Sequence, residues 1–177
     1  MDELKRRIEA MAQERLGKYP VHLKRFADGH QLLTESKNVE RAYFGKRLED
    51  LAVKNILGHL DTPYMRAEAK AYFWPLFLKA MLRKPTSAFS RSMIRWEIYR
   101  WRDHEELYGK YVEYHRLTPH LSLNDILVTG DVLREVVKSL PPRGEYEPIK
   151  SDLRAIALGA IDWIDTRWAK GLAPYDL

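Results

Sequence analysis

Between Ser151 and Gly171 the apolar residues Leu153, Ile156, Ala157, Ala160, Ile161, Ile164 and Trp168 return every three or four positions. This rhythm constrains the fold more than any other feature, because residues three and four apart share one face of an α-helix, whereas a half-buried strand needs strict alternation. It recurs along the chain. Leu4, Ile8, Met11 and Leu16 predict a first helix that stops at Gly17 and Pro20, and Val39, Tyr43, Phe44, Leu48, Leu51, Ala52 and Ile56 predict a second, capped by Ser36 or Asn38 and running to about Leu60. Only Val136 and Val137 leave room for a short strand. The chain therefore reads as all-α, a single domain over residues 1–177 built as a bundle of six or seven helices.

Helix caps and prolines divide the rest. Thr62 followed by Pro63 predicts a helix start, since a proline at the first helical position gives up an N–H that has no partner there. Pro75 lies inside the apolar run "AYFWPLFLKAML" and predicts a kink or a split, with Phe73, Trp74 and Phe77 packed inside. After the turn "RKPTSAF", Thr86 or Ser87 caps a long helix near residues 87–117, which at about 1.5 Å per residue would span roughly 45 Å. Ser122 and Asp125 have capping-box spacing, a short helix is expected from Thr129, and "PPRGEYEP" at 141–148 reads as a linker before a C-terminal helix over 152–170 capped by Ser151.

A chain of 177 residues is long enough to bury a substantial core without a staple. It has no cysteine, which excludes thiol catalysis, cysteine-ligated zinc, iron–sulfur clusters and disulfides, and agrees with a reducing, cytoplasmic setting. The start "MDELKRRIEAMAQERL" is charged and amphipathic, unlike a signal or transit peptide, and the most apolar run is too short to cross a bilayer, so no membrane partner is expected. There is no glycine-rich phosphate loop, nucleophile elbow or dinucleotide fingerprint, and no cofactor is expected. Thirty Lys and Arg against twenty-five Asp and Glu give a net charge of +5, which favours anionic partners in a general way.

The stretch "RSMIRWEIYRWR" from Arg91 to Arg102 mixes arginines with aromatic residues. With Arg91 at 0° and about 100° per residue, Arg95 falls near 40°, Arg102 near 20° and Arg116 near 340°, one stripe of four guanidinium groups. Met93, Trp96, Leu107, Tyr111 and Tyr114 fall on an opposite stripe expected to face the core, and Ile98, Trp101 and Tyr108 occupy a third sector, an aromatic edge beside the arginines. Arg91, Arg95, Arg102 and Arg116 can neutralise phosphates while Trp101 or Tyr108 offers a stacking platform to an unpaired base. The same side chains could instead be hot spots for a protein partner, in an adaptor or assembly subunit, or a solvated face in which Arg102 pairs with Glu106 and Glu113 with Arg116. The expectation is a non-enzymatic binding protein that contacts nucleic acid through this helix.

Two enzyme readings rest on spacing. Asp103 and Glu106 in "DHEE", and Asp162 and Asp165 in "GAIDWID", would surround a divalent cation if their helices met. The arrangement resembles the all-α nucleotide pyrophosphatases of the MazG kind, whose pattern is ExxE followed by ExxD where this chain has DxxE and DxxD; the resemblance implies metal-dependent nucleotide hydrolysis. "RFADGH" resembles the R-x4-6-H motif of HEPN ribonucleases, which implies a role for His30 in proton transfer and for Arg25 on phosphate. His104 and His115 stand singly beside acids and lack the paired spacing of a metal centre.

Overall fold

The structure, a computed structural model, describes residues 1–27, 34–98, 117–141 and 152–169. Seven α-helices form among these residues: α1 (Asp2–Gln13), α2 (Thr34–Tyr43), α3 (Val53–Ile56), α4 (Ala67–Arg83), α5 (Ala88–Ser92), α6 (Leu123–Ser139) and α7 (Leu153–Ala169). No β-strand occurs among the described residues, where the one extended pairing is an isolated bridge between Ala27 and Met65. The chain is all-α. Val136 and Val137 are helical and buried, which closes the short-strand option. No helix among the described residues is long and apolar enough to cross a membrane.

Helix α4 is the axis of the core. Ala69 to Leu78 are buried without interruption, so the helix is apolar almost all round, as a helix enclosed by others must be. It packs against α1, α3, α5 and α6, and α6 in turn packs along α7. Phe73, Trp74 and Phe77 are all fully buried, and Phe73 contacts Tyr43, Tyr72 and Phe26 at ring-centroid distances of 5.3, 4.9 and 6.1 Å. The Trp74 indole N–H donates to the Thr129 hydroxyl at 2.9 Å, which itself donates to the Asp125 carbonyl at 2.7 Å, so a polar thread joins α4 to α6 within the apolar core.

Pro75 does not split the helix: α4 runs through it. Proline cannot donate to the carbonyl four residues back, which strands the Ala71 oxygen in a buried position. Arg15 fills the gap. Its Nε donates to that oxygen at 2.9 Å, its Nη1 to the Met11 carbonyl at 2.9 Å, and its Nη2 to the Asp125 carboxylate at 2.7 Å. One guanidinium thus ties α1, α4 and the first turn of α6.

The helix expected to reach Leu60 ends at Tyr43. Gly45 takes φ +75°, the left-handed conformation that stops a helix, and the Lys46 ammonium donates to the Ala42 carbonyl at 2.7 Å. A 3-10 turn at Leu48–Asp50 and the short α3 follow. Thr62–Tyr64 is likewise a 3-10 turn, and α4 begins only at Ala67. Helix α6 begins six residues before the expected Thr129: Ser122 caps it, with its hydroxyl accepting from the Asp125 N–H and the Asp125 carboxylate accepting from the Ser122 N–H. Leu16 is 41% exposed and lies beyond the end of α1, so the first helix stops earlier than its apolar spacing implied.

Candidate nucleic-acid interface

Ser87 caps α5 as expected, its hydroxyl accepting from the Ser90 N–H at 3.1 Å. The uniform α-helix expected from this point does not follow. After Ser92 the backbone widens into a π-helical segment, Met93–Ile98, a geometry that is rare and recurs at functional positions. The angular positions reckoned for a regular α-helix are therefore displaced here. Residues 99–116 lie outside the described residues, so the extent of a helix near residues 87–117 and the positions of Trp101, Arg102, Tyr108 and Arg116 lie outside them too.

The inner face of the π segment is formed by Met93, Ile94, Glu97 and Ile98, all at 2% exposure or less. Glu97 is the unexpected member. Its carboxylate accepts from the Lys70 ammonium of α4 at 2.8 Å, with the two side chains 2% and 0% exposed. A charged pair thus sits in the middle of an otherwise apolar contact. Trp96, placed by its spacing among the core-facing residues, is instead 49% exposed. Apolar periodicity treats a glutamate as an outward residue, and here the glutamate belongs to the buried arc, which leaves Trp96 outside it.

Arg91 and Arg95, the two stripe arginines within the described residues, are both exposed, as is Trp96 beside them. Two guanidinium groups and one indole therefore share the solvent side of this short segment, opposite a face fixed to the core. Trp96 was the residue missed as a surface aromatic; Lys70 and Glu97, which hold the segment, were missed as well. Glu97 carries no signal in the sequence beyond its position between Trp96 and Ile98.

Asp162 and Asp165 are exposed on α7, and Asp165 accepts a charge-assisted hydrogen bond from Arg134 of α6. Arg134 also reaches Asp131 at 2.8 Å, and Asp131 pairs with Arg7 of α1. This is a surface ion-pair ladder joining three helices. Asp103 and Glu106 lie outside the described residues, as do His30, His104 and His115. Arg25 is half-buried. Among the described residues no three His, Asp or Glu side chains are grouped so as to hold a metal.

A cleft of about 390 Å³ opens where Arg15 and Asp125 meet, with Lys18, His22, Glu68 and His120 also lining it. Its charges are of both signs, and Arg15 and Asp125 are already paired with each other, so its chemistry selects no ligand class. Comparison with protein families, with curated proteins and with solved structures found no match.

Proposed function

We propose that this chain is a non-enzymatic binding protein whose partner is nucleic acid, contacted through the basic and aromatic segment that begins at Arg91. The observation that carries this reading is the joint exposure of Arg91 and Arg95 on the side away from the buried Met93, Ile94 and Ile98. An arginine fork matches phosphate oxygens in pairs and keeps its charge at any physiological pH. The sequence continues with Arg100, Trp101 and Arg102, and the net charge of +5 adds a favourable long-range field. Arg102, Arg116, Trp101 and Tyr108 extend the same proposed surface.

The test is a titration of a fluorescently labelled oligonucleotide at low salt with the parent chain and with the Arg91→Gln/Arg95→Gln variant. Binding by the parent that weakens at least tenfold in the variant, with unchanged helicity, supports the reading; glutamine is also a good helix former, so the fold should persist. A parent chain that binds no oligonucleotide at low salt overturns it and hands the surface to a protein partner.

A further inference from the structure

An exposed tryptophan is unremarkable when its helix could turn and bury it. Here it cannot. Met93, Ile94, Glu97 and Ile98 occupy the inner arc, and any rotation that brought Trp96 inward would draw the Glu97 carboxylate away from the Lys70 ammonium 2.8 Å from it. Both charges are removed from water, so separating them would leave each uncompensated in the core. The buried pair enforces the exposure of Trp96, and the π segment that it closes sets Trp96 beside Arg95, with Arg91 also facing solvent.

From this arrangement we infer that Trp96 is the specificity-determining residue of the interface and that its ligand is single-stranded nucleic acid, a base of which stacks on the indole while Arg91 and Arg95 engage the adjoining phosphates. This rests on the nucleic-acid reading above and adds the class of strand. The chemistry is selective because an indole needs a free base face, and a duplex encloses its base faces between neighbouring pairs. Every base has such a face, so the contact discriminates strandedness rather than sequence. Arginines alone would bind either form, since phosphates are common to both.

The experiment compares a labelled single-stranded oligonucleotide with the duplex of the same sequence, using the parent chain and the Trp96→Ala and Trp96→Phe variants. Trp96 is half exposed and lies outside the buried inner arc, so both variants should stay folded, with helicity unchanged by circular dichroism. The parent should prefer the single strand. Trp96→Ala should lose about 5- to 150-fold in single-strand affinity, the equivalent of one stacked base, and change duplex affinity less than twofold. Trp96→Phe, which keeps an aromatic face, should recover most of the loss. If the parent binds both forms equally, or Trp96→Ala keeps its single-strand affinity, the assignment of Trp96 is overturned while the arginine surface stands. If the parent binds neither form, the nucleic-acid reading itself has failed.

Discussion

Lys70 and Glu97 form an ion pair with almost no solvent contact, 0% and 2% exposed. Such a pair gains little net stability, because removing two charges from water costs nearly as much as their attraction returns, and its best-attested use is to fix a register. The two variants that separate these roles behave oppositely. Lys70→Met alone leaves a buried carboxylate without its counter-charge and should lower the unfolding free energy by about 3 to 5 kcal/mol. Lys70→Met with Glu97→Met should be neutral or more stable than the parent, by denaturant unfolding, yet release Trp96 from its outward position and lower its accessibility to a soluble quencher. A double variant as unstable as Lys70→Met would show that the pair serves stability and not register.

At the scale of elements, α4 is a helix that a proline should have broken, kept whole by a residue from another helix. Arg15 supplies the Ala71 carbonyl with the hydrogen bond that Pro75 cannot give. The two positions should therefore be coupled. Pro75→Ala restores an N–H to the ladder, so Arg15→Met should cost about 1 kcal/mol less in the Pro75→Ala background than in the parent, the net worth of one hydrogen bond. Additive losses in that double-mutant cycle would mean that Arg15 acts only through Asp125 and Met11. This compensation also marks the limit of what the sequence discloses. The all-α class, the Ser87 cap and the buried Phe73, Trp74 and Phe77 were legible, since each follows from spacing or a local cap. The continuity of α4 was not, because it depends on a guanidinium sixty residues distant from the proline it serves. The outward Trp96 was hidden for a similar reason: a buried Glu97 makes sense only with Lys70 opposite it. The cap of α6 was legible in the Ser122 and Asp125 spacing although the helix itself was expected only from Thr129, whereas the break after Tyr43 needed Gly45 to be read as a left-handed stop.

At the scale of the whole molecule, α4 at the centre carries the contacts that fix the rest, and the π segment is pinned to it by Lys70 and packed against α7. The resulting surface presents Arg91, Arg95 and Trp96 on a segment tied to the core, an arrangement that lowers the ordering cost at the moment of contact. If the arginines meet phosphates, binding must depend on salt. Each phosphate neutralised releases counterions, so the logarithm of the single-strand association constant should fall linearly with the logarithm of salt concentration, and each arginine removed should flatten that line by about 0.7. The decisive measurement is this slope for the parent and for Arg91→Gln/Arg95→Gln. A steep line is expected for the parent and one shallower by about 1.4 for the variant; parallel lines would mean that the arginines face no phosphate at all.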